Sequence, residues 1–467
     1  MGSPPVGTNL PRVEGEGAAA TVEGSGAVAL LQRLLRINTV NPPGNEAPAQ
    51  ELLAATLTDA SFECRLLEAE PGRPNLVARL RGESPGPTVC LLGHVDTVPA
   101  KPSEWSFDPW AGDIVDGQVR GRGAQDMKDQ VAAEVAAAAV LGRAGWRPRR
   151  GELLVVTTAD EEMGAGAGAQ WLCREHPQKV RSDYVLNEGG GVSFELGGRR
   201  FYTLCVGEKG VFRFRVHARG TAGHASVPGL GDNALLKLAP LLERLGRQPD
   251  PEATPEGIAF LSALSGQELD EDPSRLAQAI DSLRATAPEL VAYLVEPMLR
   301  VTLVPTQARA SEKENVIPSH AEVLVDCRVP PGMDEADARR RAVEVLGSSN
   351  GAGQGDESLP AYELEFVEHA VGNRSPARSP LTDLIETWLE RTDPGATLVP
   401  IVMAGFSDSN WFRRAFGSAV VYGFCPQREM SMLEAVPLVH NADERAAVAD
   451  IGLATHFYRD IVLAALG

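Results

Sequence analysis

Nowhere in the 467 residues does an apolar run approach the ~20 residues that a membrane-crossing helix needs. No C-x-x-C pair occurs either: Cys64, Cys90, Cys173, Cys205, Cys327 and Cys425 are scattered, mostly in apolar contexts. That spacing argues against a disulfide framework and for buried thiols. Basic charge is also short. With 44 Lys and Arg against 63 Asp and Glu the net charge is -19, which argues against a nucleic-acid partner, whose phosphates want a basic face. The opening "MGSPPVGTNLPRVEGEGAAATVEGSG" has no hydrophobic core of a signal peptide. It is expected to be a disordered tail, 1–26, and the expected compartment is cytoplasmic.

What is present reads as an α/β protein. "NLVARL", "TVCLLGH" (88–94), "ELLVVTTAD" (152–160) and "DYVLNEG" (183–189) are strand-like runs. Helical patterns at 27–38, 46–60, 130–145 and about 165–176 alternate with them, which predicts a mainly parallel sheet flanked by helices. The pattern changes near 206. "GVFRFRVHARG", "AEVLVDCRVPPG" and "YELEFVEHAV" alternate apolar and polar residues, as half-solvated antiparallel strands do. The expected organisation is therefore a first catalytic part over 27–205, an inserted smaller α+β domain over 206–371 and a second catalytic part over 372–467. The inserted domain is expected to carry a helical insertion at about 250–297. "GSSNGAGQGDE" (347–357) is expected to be a flexible loop, and the last helix to span 442–465.

Three of the core strands end in side chains that bind metal. "CLLGH" ends in His94, "LLVVTTADEE" in Asp160, Glu161 and Glu162, and "YVLNE" in Asn187 and Glu188. Ligand sites of open α/β sheets lie at the carboxyl ends of the strands, so these groups are expected in one crevice. Asp126, in "GRGAQDMK", follows a glycine-rich loop near the same edge. Converging carboxylates repel and raise one another's pKa unless cations are among them. Histidine with carboxylate suits zinc, at roughly 2.0–2.2 Å. Taken alone, His94 reads as an ordinary core histidine; the acids at neighbouring strand ends make it a ligand. "MGAGAGA" lacks the G-x-G-x-x-G spacing and stands beside three acids, which excludes a pyrophosphate there.

In chain order, "GHVDTVP", "GRGAQDMK", "TADEEMGAGAGA", "NEGG", "GHASVP", "ENVIPSHAEVLVDCRVPPG", "GFSDS" and "HNADER" resemble the dinuclear zinc hydrolases that include aminoacylase, carboxypeptidase G, acetylornithine deacetylase and succinyl-diaminopimelate desuccinylase. The resemblance runs from about residue 30 to the C-terminus. It implies a zinc-exopeptidase-like catalytic domain with an inserted lid and dimerisation domain. Two divalent ions are implied, zinc with cobalt or manganese as alternatives. His94 and Glu188 would complete one metal site, Glu162 and His440 the other, and Asp126 would bridge them. Asp96 would orient the His94 ring, and Glu161 would be the general base that activates the bridging water. His224 would reach a partner's site in a homodimer to steady the oxyanion. Arg328 and Asn315 would hold the substrate's free carboxylate.

The implied activity is metal-dependent hydrolysis of an amide bond in an N-acyl amino acid or short peptide, the deacylation of a biosynthetic intermediate included. The alternative is a non-catalytic scaffold that keeps the fold, but a scaffold has no need of Glu161 beside Glu162. Asp408 is expected to line the site, without a stated role. Asp129 and Gln130 depart from the glycines common at this place in the family, and either alter metal affinity or cap the helix. Asn441 and Glu444 look like the start of a helix cap. His176, His217, His320, His369 and His456 have no supporting context and are read as structural.

Overall fold

The computed structural model describes residues 18–347 and 360–467, with side chains from residue 24. The first helix, Ala18–Leu35, starts inside the segment expected to be a disordered tail, which corrects that boundary. Its buried stripe of Ala27, Leu31, Leu34 and Leu35 packs into the main core. Residues 1–17 and nearly all of the glycine-rich segment 347–357 lie outside the described residues.

A ten-stranded sheet forms the larger layer. At its centre Thr88–His94 runs parallel to Glu152–Thr158 on one side and Tyr184–Asn187 on the other. Val420–Gly423, from the far end of the chain, joins next and is also parallel. The edges turn antiparallel, through Pro74–Arg81 and Glu63–Glu68 on one side and Arg199–Glu208 on the other.

The central strands are apolar on both faces because helices cover both. Val89, Leu91, Leu153 and Val155 point into a core built with the helices Ala18–Leu35, Ala47–Asp59, Lys128–Arg143, Pro380–Thr392 and Val448–Leu466. Their neighbours Cys90, Leu92, Leu154 and Val156 point to the opposite face, against Ala169–Glu175 and Ser409–Ala415, as the period of two requires. Just before His94, a Cβ on Gly93 would stand 2.7 Å from Val131 and 2.8 Å from Met127. Only glycine lets the helix Lys128–Arg143 come this near the strand end.

A second, five-stranded antiparallel sheet is built from Gly210–Val211, Phe214–Arg219, Thr302–Arg309, His320–Val329 and Tyr362–Phe366. Phe214, Val216, Ala218, Val323, Val325 and Cys327 bury one face under the helices Ala234–Leu245 and Glu335–Leu346. The alternate residues face outward.

The helical segment from Pro255 to Leu299 does not ride on this small sheet, as the sequence pattern implied. Phe260, Leu276, Ile280 and Val295 pack against Phe194, Phe201, Val399 and Ile401 of the large one. The physical reason is coverage: the strand Thr397–Met403 pairs with Arg199–Glu208, and these apolar residues need a lid. At the C-terminus, 442–447 is a loop and the short strand Arg445–Ala447, so the last helix begins only at Val448. Among the described residues no helix is long and apolar enough to cross a membrane. All six cysteines are free thiols; five are buried, and Cys64 is half-exposed.

Candidate active site

The carboxyl ends of three adjacent strands meet here. His94 is the last residue of its strand, Glu161 and Glu162 open a 3-10 turn after two residues beyond the end of the next, and Glu188 follows Asn187 at the end of the third. Two loops complete the ring, one carrying Asp126 and the other His440.

Asp126 stands in the middle. Its Oδ1 lies 3.1 Å from His94 Nε2, while its Oδ2 lies 3.0 Å from His440 Nε2. His440 Nε2 is also 3.2 Å from a Glu162 oxygen. On the other side His94 Nε2 is 3.8 Å from Glu188 and 3.9 Å from Glu161. The two oxygens of one carboxylate thus face two different imidazoles, each with a further acid beside it. Separations of 3.0–3.2 Å between donor atoms match ligands about 2.0–2.2 Å from a shared ion. Oxygen and imidazole donors suit zinc, cobalt or manganese alike.

The electrostatics point the same way. Burial and the charge of Glu188 push the Glu161 carboxyl well above its ordinary range, although His94 pulls it down. Burial does the same to Glu188, with Asp126 adding repulsion. Burial opposes ionisation of Asp126 too, but hydrogen bonds from His440 and His94 outweigh it and hold its pKa low. His440 rises to about 10 through its bonds to Asp126 and Glu162. Protonated imidazoles are therefore neutralising acids that sit too close together, which is the work of divalent cations in such a crevice.

A set of supporting residues fixes this geometry. Asp96 lies under the site, fully buried, and is shared between two tasks. Its carbonyl oxygen is 3.0 Å from His94 Nδ1, and its carboxylate accepts the backbone N–H groups of Glu161 and Glu162. It therefore orients the His94 ring and also holds the turn that carries the two glutamates. Asn41 donates to both Asp96 and Asp160. Asp160, left-handed at φ 66°, pairs with Arg73 at 3.0 Å and accepts from Ala167 N–H, closing the "EEMGAGA" loop.

Glu444 does for Asp126 what Asp96 does for the glutamates. It accepts the backbone N–H groups of Gly123, Gln125 and Asp126 and pairs with buried Arg122 at 2.6 Å. The cap reading of Glu444 is thereby corrected, since no helix starts there.

Asp408 is buried beside the strand end, accepting from Thr158 Oγ1 at 2.5 Å, and burial pushes its carboxyl up to about 7. Asp129, in the first turn of the helix Lys128–Arg143, is buried and driven to about 8 by desolvation against the backbone N–H of Gln130. Gln130 donates to Glu134 at 2.9 Å.

Not every sequence-derived residue joins this cluster. His224 and Asn315 are exposed and lie together elsewhere: His224 pairs with Val316 in a two-residue ladder, and the Asn315 carbonyl accepts from Ala225. Among the described residues no hydrogen bond or ion pair joins them to the acids. Arg328 is bound to Asp326 at 2.7 Å and lies over the Phe406 ring, 5.9 Å from its centroid, next to the loop that carries Asp408. The sequence reading missed Asn41, Arg73 and the anchoring roles of Glu444 and Asp160. Glu444 shares a motif with His440, which was the available signal; Asn41 and Arg73 gave none.

Fold and site together define a metal-dependent hydrolase whose candidate ligands gather at the rim of a mostly parallel sheet. Residues 90–464 match the profile of peptidase family M20/M25/M40, and the chain belongs to that family. Among its relatives, a succinyl-diaminopimelate desuccinylase of Xanthobacter autotrophicus is 28% identical over 446 residues, 93% of this chain and 98% of that one. A desuccinylase of Parvibaculum lavamentivorans is 34% identical over 226 residues, 47% of this chain and 55% of that one. Among solved structures, an M20 metallo-carboxypeptidase of Sulfolobus solfataricus superposes with a TM-score of 0.67 at 17% identity, over 93% of this chain and 98% of that one. Human carnosine dipeptidase 1 follows at 0.65 and 17%, over 95% and 98%. A dinuclear metal-binding M20 peptidase of Bacillus subtilis shares the fold at 0.56 and 13%, over 95% and 98%.

Proposed function

We propose that this protein hydrolyses the amide bond of an N-acyl amino acid or short peptide that carries a free carboxylate, with Glu161 as general base. The observation that carries the reading is the placement of Asp126 between His94 and His440, with Glu162, Glu188 and Glu161 around them. His94 and Glu188 would hold one ion, His440 and Glu162 the other, and Asp126 both. Zinc is the proposed metal, with cobalt or manganese as alternatives. Two such ions supply Lewis acidity, lowering the pKa of water toward ~7 and polarising a carbonyl.

The chain's own residues do the rest. Glu161, free of a ligand role, takes the proton of the attacking water and returns it to the leaving amine. Burial raises the affinity of its carboxylate for a proton. Asp96 keeps His94 and the glutamate turn in register. Arg328, beside Phe406, and Asn315 receive the substrate carboxylate, and His224 donates to the developing oxyanion. Because His224 and Asn315 are exposed, lie together and stand apart from the acids, we place both at the site of a second copy in a homodimer formed through the small sheet. The charge balance and the reduced cysteines fit a cytoplasmic location.

A second, narrower reading is a desuccinylase of a biosynthetic amino-acid intermediate, supported by the names of the relatives. A panel of N-acetyl and N-succinyl amino acids and dipeptides, assayed with zinc, manganese or cobalt, tests both. The expected result is turnover that chelation abolishes and that a C-terminally amidated substrate does not show. A metal-loaded protein that turns over no member of the panel overturns the first reading; preference for acetyl over succinyl overturns the second.

A further inference from the structure

His217 and His320 were read from the sequence as structural, 103 positions apart and without context. The small sheet brings them together. His217 lies on the strand Phe214–Arg219 and His320 opens the strand His320–Val329, which pairs with it antiparallel. Both residues sit on the outward face, opposite the buried Val216, Ala218, Ala321 and Val323. His217 is directly opposite Glu322, and His320 is opposite Arg219, one diagonal step away.

The donor atoms converge. His217 Nδ1 lies 3.1 Å from His320 Nε2 and 3.5 Å from a Glu322 oxygen. These three atoms all fall within 4.8 Å of one another. A tetrahedral ion with ligands at 2.0–2.1 Å has edges of about 3.3 Å, and the two measured contacts bracket that length. Without an ion, two imidazole nitrogens this close must share a single proton.

The surroundings favour the ion. The far nitrogen of His217, Nε2, is 2.9 Å from Glu365 on the neighbouring strand. That contact sets the tautomer: Nε2 carries the hydrogen and donates to the carboxylate, leaving the Nδ1 lone pair aimed at His320 and Glu322. A carboxylate behind a histidine in this way orients the ring and strengthens it as a ligand. Nearby arginines leave the required oxygens free. Arg219 forks onto Glu363, and Arg215 approaches the other oxygen of Glu322 at 3.5 Å.

We infer that His217, His320 and Glu322 form a second kind of metal site, separate from the acid cluster, that takes a borderline transition-metal dication such as zinc and leaves a fourth position to water. Two imidazoles and one carboxylate select this class over magnesium or calcium, which prefer all-oxygen sites. The ion ties two strands of the small sheet together on its outer face. Nothing in the inference depends on how many ions the acid cluster holds.

The test compares the zinc content of the full-length protein with that of His217→Asn, His320→Asn and the double variant, after equilibration with excess Zn2+ and desalting. The unaltered protein is expected to retain one zinc ion per chain more than any of the three, with hydrolytic activity unchanged. Added Zn2+ is also expected to raise its Tm further than that of the double variant, which keeps only the acid cluster. Glu365→Gln, which removes only the orienting carboxylate, is expected to weaken this extra equivalent about 10-fold. Equal zinc content in all four proteins overturns the inference. His320 is exposed, so the single His320→Asn variant decides the matter even should the double variant fail to fold.

Discussion

The acid cluster at the rim of the large sheet and the corner that carries His224 and Asn315 are built on opposite terms. In the first, every candidate ligand but His440 is at least partly buried, and three acids hold the backbone around them: Asp96 the glutamate turn, Glu444 the Asp126 loop and Asp160 the loop beyond. In the second, the side chains are solvent-exposed and rest on a two-residue ladder, with the Ser226 N–H and hydroxyl at the His224 ring as local fixes. The difference teaches that preorganisation is spent where charges must be held against repulsion. The groups proposed to meet the substrate from outside are left on a small element.

The sharpest way to break this contrast is Glu161→Gln. It should lower kcat about 10^3–10^4-fold while zinc content stays level, since the residue is a base and not a ligand; a variant that loses metal would reassign Glu161. Next, His224→Ala should lower kcat about 10^2-fold, the scale of losing one oxyanion donor. Mixing that protein with Glu161→Gln should restore activity if His224 serves a second subunit, and mixtures as inert as their components would place it in its own.

Glu444→Gln touches no metal, yet should weaken metal binding about 10–100-fold by releasing the Asp126 loop, as a zinc competition assay would read. Arg328→Ala should raise KM about 10-fold for carboxylate substrates with kcat nearly constant, the cost of one charged hydrogen bond; equal KM values would remove Arg328 from the pocket.

The smallest effect concerns Asp129. Its carboxyl is raised from 3.8 to about 8 by burial, so between these values the folded chain keeps a proton that the unfolded chain has lost. Stability from this group is therefore present at low pH and falls as pH rises toward 8. Asp129→Asn should remove that slope: its Tm should match the parent near pH 4 and exceed it by a few degrees near pH 8.5. Parallel Tm curves would show that the group ionises freely.

The convergence of the candidate ligands was legible because strand ends are legible. Apolar runs that stop at His94, Asp160 and Asn187 mark the carboxyl edge of a parallel sheet, and the fold makes such edges converge. The insertion misled because amphipathic helices do not say which sheet they cover. Phe260 and Ile280 were free to pack on either layer, and the uncovered strand Thr397–Met403 decided it. Glu444 misled for a related reason, since an acid after Asn441 satisfies the rule for a helix cap as readily as it accepts three loop N–H groups.

By itself the sequence determined the alternation of strands and helices, the residues able to hold metal and the family to which they belong. These are properties of local periodicity and of residue chemistry, which a linear pattern carries. Only the tertiary structure decided which carboxylates face the cluster and which hold the loops behind it, and that His217 should meet His320. Such choices depend on distances between atoms far apart in the chain, and those distances exist only once the sheets have closed.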